Sequence, residues 1–225
     1  MCNLYSQTLP RQAVIKYFRI SHNRAAAITP KPAIFPTNEA PVIRRAEDGE
    51  QELVELSWGF VLLMKDKAPR RVTNVRDDKI RTSRFWRGSF EERRCLVPVT
   101  SFSEPKGRNP ATWHWFALKG DSPRRLFAFA GIWGSWKGPI KKDGQTVELD
   151  VFAFMTTTPN ELVATIHPQR MPVILDSEEA FETWTDGTPD EAFDLVNSYP
   201  ADQMHIVQSG KDRKDLLGEA ATVVT

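Results

Sequence analysis

Short apolar runs separated by turn residues dominate the hydrophobic pattern of this chain. Runs that are rich in Val, Ile, Phe and Trp and bounded by Pro, Gly, Asn or Asp are typical of β-strands. We predict strands over residues 52–58, 94–102, 112–118, 126–133, 147–157 and 204–208. Because these strands are spread along most of the chain without a clear boundary, the pattern predicts a single domain.

Helical spacing of apolar residues is confined to short segments. Pro10 begins one of them at a position where its missing N–H costs nothing, and Val14, Ile15 and Phe18 then share a face. Short helices are predicted over residues 10–20, 160–166, 177–184 and 190–198. Together with seven Trp and sixteen Pro, these short elements do not favour a helical bundle.

Turn residues punctuate the first third of the chain. Prolines at positions 30, 32, 36 and 41 argue against a regular central strand over residues 28–42. We expect residues 36–41 to form a loop that leads into Val42 and Ile43. Residues 47–50, with the sequence Glu-Asp-Gly-Glu, are predicted to form the tip of a hairpin.

Composition narrows the class of protein. The chain has 225 residues, of which 40% are hydrophobic and 26% are charged, as in ordinary globular proteins. No apolar run approaches the ~20 residues that span a bilayer, and no signal segment opens the chain, so we expect a cytoplasmic monomer. Cys2 and Cys95 are the only cysteines. We therefore predict no disulfide framework, no metal site and no cofactor, with Cys95 as a small core residue.

The net charge of +1 conceals a gradient along the sequence. Residues 65–94 contain eleven Lys or Arg against five Asp or Glu, whereas residues 176–225 contain twelve acidic residues against three basic ones. A basic face toward a polyanion is compatible with this distribution, and so is an ordinary soluble surface.

Cys2 is the first candidate for chemistry. If Met1 is removed, Cys2 carries an α-amine with a pKa of ~8 beside a thiol with a pKa of ~8.5, and a useful fraction of each is deprotonated near neutral pH. An aldehyde can form an imine with this amine, which the thiol closes to a thiazolidine. An amide or ester would instead meet an N-terminal nucleophile whose amine serves as its base. The alternative is an ordinary residue near the chain end.

Polar residues in loops supply further candidates. Asn74 and Arg76 are two residues apart, so in an extended segment an amide and a phosphate-binding guanidinium would share a side. Glu104 follows a buried strand, where partial burial would raise its pKa toward neutrality. Pro168 moves His167 out of helical geometry into a loop suited to a titrating group. The structural alternatives are an Asx-turn with a surface Arg, a solvated turn Glu and a structural His.

Two more residues could contact a nucleic acid. Trp58, next to Gly59, could provide a ledge on which a base stacks, although a core position is the competing interpretation. Arg170, close to Pro172, could reach a phosphate group.

Taken together, these motifs resemble the SOS-response-associated peptidase family, the abasic-site processing proteins. The resemblance extends over about residues 1–208, which leaves 209–225 as an expected tail. Its motifs, in order, are Met1-Cys2, Pro36 with Pro41-Val42, Trp58-Gly59-Phe60, Asn74-Val75-Arg76, Pro98 with Phe102-Ser103-Glu104, Phe129-Ala130-Gly131-Ile132-Trp133, and Thr156-Thr157 with Asn160, Ile166-His167 and Arg170-Met171-Pro172-Val173-Ile174-Leu175. Each motif is weak alone, but their common order is specific.

The resemblance implies a fold and a chemistry. Family members are single-domain α+β proteins with a strongly bent, barrel-like antiparallel β core. They bind single-stranded DNA and link the N-terminal Cys to the aldehyde of an abasic site through a thiazolidine. The matching catalytic residues are Cys2, Asn74, Glu104 and His167. The matching DNA-binding residues are Arg76, Arg170, Trp58 and Pro36.

Three departures from the family pattern stand out. Asn3 and Leu4 replace the usual Gly-Arg after the Cys, so one DNA-contacting Arg is absent. Ser103 and Pro105 replace the aromatic pair that flanks the Glu. The spacing from His167 to Arg170 is one residue longer than in a His-x-Arg-Met-Pro run.

Three functional hypotheses follow from the sequence. The leading one is a DNA-damage protein that crosslinks itself to abasic sites in single-stranded DNA and removes its own residue 1. The second is a general cysteine peptidase that uses Cys2 and His167 on other proteins. The third is a non-catalytic single-stranded DNA-binding module.

Overall fold

The computed structural model describes residues 2–25, 29–120 and 124–216 of the chain. Most of the strands lie in two sheets. The strands are β1 (Tyr5–Gln7), β2 (His22–Asn23), β3 (Lys31–Ile34), β4 (Glu39–Arg45), β5 (Gln51–Trp58), β6 (Phe60–Leu62), β7 (Arg70–Val72), β8 (Asn74–Arg76), β9 (Arg94–Val99), β10 (Ser101–Lys106), β11 (Thr112–Leu118), β12 (Phe127–Gly138), β13 (Val147–Thr157), β14 (Met171–Pro172), β15 (Ile174–Leu175) and β16 (Met204–Gly210).

Short helices flank these strands. They are α1 (Arg11–Tyr17), α2 (Asp77–Ile80), α3 (Arg87–Glu92), α4 (Glu161–Ala164), α5 (Glu178–Asp186) and α6 (Pro189–Asp194), with a 3₁₀ turn at Ala201–Gln203. Side-chain caps begin the last three: Asn160 accepts a hydrogen bond from Val163 N, Ser177 from Ala180 N and Thr188 from Glu191 N. Among the described residues, no helix is long and apolar enough to cross a membrane.

The two main sheets face each other across an aromatic core. One has the strand order β16-β11-β10-β1-β3, and the other has the order β14-β13-β12-β9-β4-β5-β2, with β8 added on β13. Tyr5 and Phe102 of the first sheet pack with Phe129 and Phe154 of the second, all fully buried. This arrangement confirms the predicted α+β fold with a bent, barrel-like β core.

Most predicted elements are present. Strands β11 and β13 have the predicted bounds, three of the predicted helices are shorter than expected, and α5 ends two residues later than predicted. The hairpin tip lies between β4 and β5, where Gly49 has a φ of 83° that favours glycine. Cys95 is buried in β9, as expected for a core residue.

Two strand predictions need correction. Residues 94–102 form two strands in different sheets, because the chain leaves β9 at Thr100 and enters β10. Glu104 therefore lies inside a strand and not at a turn. Pro41 lies within β4, opposite Glu55, whereas a loop was expected. The proline is tolerated because β4 pairs with β9 at Ile43, so that the missing N–H of Pro41 lies outside this pairing.

The predicted start of the tail, at residue 209, also needs correction. Strand β16 continues to Gly210, and Asp215 beyond it is fully buried. The packed chain thus includes at least residues 209–216, and the rest of the expected tail, 217–225, lies outside the described residues.

Candidate active site

Cys2 lies at the inner edge of the five-stranded sheet and is only 1% exposed. Its Sγ lies 3.5 Å from the carbonyl oxygen of Leu4, to which the thiol donates a hydrogen bond. Burial raises the pKa of the Cys2 thiol well above its usual value, and the charge of Glu104 adds to this effect. In this structure the buried thiol is therefore more strongly protonated at neutral pH than an ordinary cysteine thiol.

Asn74 begins β8, which lies on β13 with Asn74 opposite Phe154. Its Nδ2 donates to the carbonyl oxygen of Cys2 at 2.8 Å and to Thr73 Oγ1 at 2.8 Å. Thr73 in turn donates to Asn3 Oδ1 at 3.0 Å. This chain of hydrogen bonds fixes the Cys2 carbonyl and the Asn3 side chain without placing a charge beside the thiol.

Glu104 is 1% exposed in β10, and its Oε1 has no hydrogen-bond partner among the described residues. Burial raises the pKa of Glu104 to about 7, while a hydrogen bond with the Cys2 thiol acts in the opposite direction. At neutral pH the carboxyl group is therefore divided between its acid and base forms. This is the protonation behaviour expected of a general acid and base.

His167 follows α4 in a loop that returns toward β13. Its Nδ1 lies 2.9 Å from the carbonyl oxygen of Arg170 and 3.4 Å from the backbone N of the same residue, and the shorter contact, to an acceptor, favours the proton on Nδ1. Burial lowers the pKa of His167, which keeps the imidazole neutral at pH 7. The hydrogen bond between the His167 side chain and the Arg170 carbonyl oxygen holds the imidazole against its own loop.

The two arginines occupy different environments. Arg76 is exposed, and its Nε and Nη2 each donate to the carboxylate of Asp78 at 2.8 Å. Arg170 is largely buried, with Nη2 at 2.6 Å from Asp77 Oδ1 and 2.8 Å from the carbonyl oxygen of Thr156. Arg76 can thus exchange a surface carboxylate for a phosphate, whereas Arg170 is held in an internal ion pair.

Trp58 is fully buried, and it offers no exposed ring face to a base in this structure. Its ring stacks near Phe154 at a centroid distance of 5.2 Å, and its Nε1 donates to the carbonyl oxygen of Thr73 at 3.0 Å. Trp58 is therefore a core residue, and its indole N–H is hydrogen-bonded to Thr73, the residue before Asn74. Pro36 is half-buried in the turn between β3 and β4.

The structure brings Cys2, Asn74 and Glu104 into one cluster and links His167 to Arg170 in the neighbouring loop. Sequence reasoning did not single out Thr73 or Tyr5. Thr73 connects Asn3 to Asn74, and Tyr5 is buried near Cys2 with a hydroxyl that has no partner among the described residues. Position was the only available signal, since Thr73 precedes Asn74 and Tyr5 lies in the first five residues.

Comparison with proteins of known sequence identifies relatives along most of the chain. Abasic site processing protein YoqW of Bacillus subtilis is 30% identical over 218 residues, which cover 92% of each chain. Abasic site processing protein YoaM of the same organism is 31% identical over 179 residues, 76% of each chain. Abasic site processing protein HMCES of Gallus gallus is 28% identical over 180 residues, 67% of this chain and 52% of that protein.

Solved structures share the fold. A crystal structure of a protein from Bacteroides thetaiotaomicron superposes with a TM-score of 0.71 at 21% identity, covering 91% of this chain and 90% of that one. A second, from Bordetella bronchiseptica, has a TM-score of 0.71 at 20% identity and covers 94% of this chain and 99% of that one.

A family model gives the assignment. The model of the SOS response associated peptidase (SRAP) family matches residues 1–212, a range that contains every residue of the cluster described above. The chain therefore belongs to the SOS response associated peptidase (SRAP) family.

Proposed function

We propose that this protein processes abasic sites in single-stranded DNA by linking Cys2 covalently to the aldehyde of the ring-opened sugar. The observation that carries the proposal is the buried contact between the Cys2 thiol and Glu104, whose pKa of about 7 lets it both donate and accept a proton. The relatives named as abasic site processing proteins support the choice of substrate.

The chemistry requires a free amine on Cys2, and therefore removal of residue 1. The amine adds to the aldehyde to give a carbinolamine, in which a new C–N bond has formed. Protonated Glu104 then donates a proton to the hydroxyl group, which leaves as water and produces an iminium ion. The Glu104 carboxylate next takes the thiol proton, and sulfur adds to the iminium carbon to close the thiazolidine. Glu104 ends the sequence protonated, so charge and atoms balance.

The other members of the cluster hold this geometry. Asn74 fixes the carbonyl of Cys2, which orients the amine and the thiol on adjacent carbons. Neutral His167 can accept a hydrogen bond from a hydroxyl group of the opened sugar through Nε2. In this proposal the peptidase activity is removal of residue 1 by the same cluster, before the protein meets DNA.

The two alternatives make different demands on the site. A general cysteine peptidase needs an ionised nucleophile and a groove for a peptide, but burial keeps the Cys2 thiol protonated. A non-catalytic DNA-binding module would not need a buried carboxyl group with an unpartnered oxygen beside a thiol, because such a group lowers stability.

Incubation with a single-stranded oligonucleotide that carries one abasic site tests the proposal. We expect a conjugate that survives heat and denaturant, with a mass equal to protein without Met1 plus DNA minus one water. Cleavage of added proteins without a conjugate would support the peptidase. Binding that salt reverses completely, with no conjugate, would support the non-catalytic module.

Arg76→Ala is expected to weaken binding of single-stranded DNA and to lower its salt dependence, whatever the base sequence. A phosphate contact releases counterions, and each contact contributes about 0.7 to the slope of log K against log salt for single strands. Fluorescence anisotropy titrations at several salt concentrations measure this slope.

Asp78→Ala is the matched control for Arg76. It removes the carboxylate that occupies the Arg76 guanidinium, so we expect it to strengthen binding. A salt slope that neither variant changes would place Arg76 outside the DNA contact.

A further inference from the structure

The segment 211–216, which follows β16, crosses the outer face of the five-stranded sheet. We call this segment the strap. The indole Nε1 of Trp115 in β11 donates to the carbonyl oxygen of Asp212 at 3.4 Å, and the backbone N of Asp215 donates to Pro32 at 2.9 Å. The strap therefore contacts β11 and β3, and through the Gln208 side chain, which bonds Lys214 and Leu216, it also contacts β16.

Asp215 anchors the strap in the protein interior. Its carboxylate receives two hydrogen bonds of 2.6 Å from Arg124 and one of 2.6 Å from Ser101. Ser6 of β1 lies at 3.2 Å from the same carboxylate. Since both charged side chains are almost fully buried, the strap is fixed in place.

The strap also explains the departure at position 4. Side chains alternate along a strand, so Leu4 points to the same face as Ser6, away from Tyr5 and the aromatic core. Ser6 bonds the strap, and Leu4 is fully buried without belonging to either core cluster. Leu4 therefore lies on the face that the strap crosses, where an apolar side chain is favoured over an arginine.

Arg213 is one of five exposed residues of the strap, in which only Asp215 is buried. Its guanidinium carbon lies 4.8 Å from the ring centre of Phe35 and 4.8 Å from that of Trp113. Stacking on two rings orients the guanidinium and leaves its N–H edge available for a bidentate contact. Within residues 2–25, 29–120 and 124–216, no carboxylate or carbonyl accepts a hydrogen bond from this side chain.

The position of Arg213 places a positive charge beside the loop that contains Pro36. Phe35 directly precedes Pro36, and Trp113 is paired with Pro105, the residue after Glu104. The three basic residues of the acidic region 176–225 are Lys211, Arg213 and Lys214, all in the strap. Since side chains alternate along a strand, Pro105 and Trp113 point to the strap face while Glu104 points to the other. The positive charge of Arg213 therefore lies against Phe35, beside Pro36 in the sequence, and across the sheet from Glu104.

We infer that Arg213 is a phosphate-binding residue for single-stranded DNA, presented by the anchored strap against Phe35, the residue before Pro36. The inference rests on the proposed function for the identity of the ligand. In this arrangement the strap supplies, from the opposite end of the chain, a basic residue that positions 3 and 4 lack. Phe35 and Trp113 hold the guanidinium in its orientation before DNA arrives, which reduces the entropy lost on binding.

An undamaged oligonucleotide provides the test, because it requires no crosslinking. Binding of a single-stranded 20-mer is measured against salt for wild type, Arg213→Ala and Arg213→Lys, together with the thermal midpoint of each protein. We expect Arg213→Ala to reduce the salt slope by about 0.7 with little change in the thermal midpoint. Arg213→Lys should retain the slope because it keeps the charge.

Lys142→Ala is the matched control, since it removes one exposed positive charge from the loop between β12 and β13. Its salt slope should equal that of wild type. The inference is overturned if Arg213→Ala has the wild-type slope, or if it lowers the thermal midpoint while the slope is unchanged, since Arg213 would then only hold the strap. Failure of wild type to conjugate abasic DNA would overturn the proposed function and leave this measurement intact.

Discussion

Cys2→Ala is expected to abolish the heat-stable conjugate with abasic DNA while reversible binding of single-stranded DNA persists. The alanine variant keeps the amine and can still form an imine, but it has no thiol to close the ring. An imine hydrolyses readily, so it does not survive heating in water. Denaturing gel electrophoresis after heating, with anisotropy for binding, measures both properties. A conjugate that survives at wild-type yield would contradict the thiazolidine.

Cys95→Ala is the control that shows whether the loss of conjugation is specific to the Cys2 thiol. Cys95 is as buried as Cys2 and belongs to the same core cluster, but it lies within β9, next to Leu96. We expect full conjugation by this variant. Cys2→Ala should cost little stability, because its thiol makes only a hydrogen bond of 3.5 Å to the Leu4 carbonyl oxygen and the contact with Glu104 described above.

Glu104→Gln is expected to slow conjugation by about 10²–10⁴-fold with little change in DNA affinity, since a positioned acid or base contributes a factor of this size. Glutamine keeps the shape of the side chain but exchanges no proton near neutral pH. Single-turnover conjugation at saturating DNA gives the rate without a contribution from affinity. A rate equal to that of wild type would leave water or His167 as the proton donor.

The pH profile adds an independent signature. The amine must be neutral, which favours high pH, whereas Glu104 must be protonated to expel water, which favours pH below about 7. These opposed demands produce a bell-shaped profile whose limbs belong to the coupled site. In Glu104→Gln the limb that falls above pH 7 should disappear, since no acid remains to be titrated there.

Stability should respond to the same carboxyl group. The pKa of Glu104 is about 7 in the fold against an ordinary value of 4.5, so the folded protein binds more protons than the unfolded chain between these pH values. The raised pKa of Glu104 adds to the free energy of unfolding at low pH. This contribution, at most about 3 kcal/mol, is complete below pH 4.5 and is lost as pH rises through 7. Glu104→Gln should remove this dependence and be relatively more stable than wild type at pH 8.

The local hydrophobic pattern of the sequence was sufficient to predict most strands and helices, but not which strands pair with each other. Strands β11 and β13 followed from alternation and bounding turns, whereas the division of residues 94–102 between two sheets did not. Residues 95–103 are all apolar or small, and the switch between the strands occurs at Thr100, where no Gly or Pro marks a break. Which sheet a strand joins depends on residues far away in the chain.

The candidate site shows the same limit. Cys2 and Asn74 are 72 residues apart, and the Asn74 amide reaches the Cys2 carbonyl only because β8 is added to β13. Their association came from the resemblance and not from the spacing. The burial of Glu104 was underestimated, since Pro105 and Gly107 predicted a turn while pairing with β11 continues through Lys106.

The ion pair of Arg124 and Asp215 sets the length of chain that this fold needs. Removal of one partner of a buried pair leaves an uncompensated charge and costs about 3–5 kcal/mol. A shortened protein that ends at Gly210 would retain every strand, yet it would keep Arg124 without its carboxylate and uncover Leu4 and Trp115. The minimal folding unit therefore extends through Asp215, beyond the last strand and beyond the segment that the family model matches.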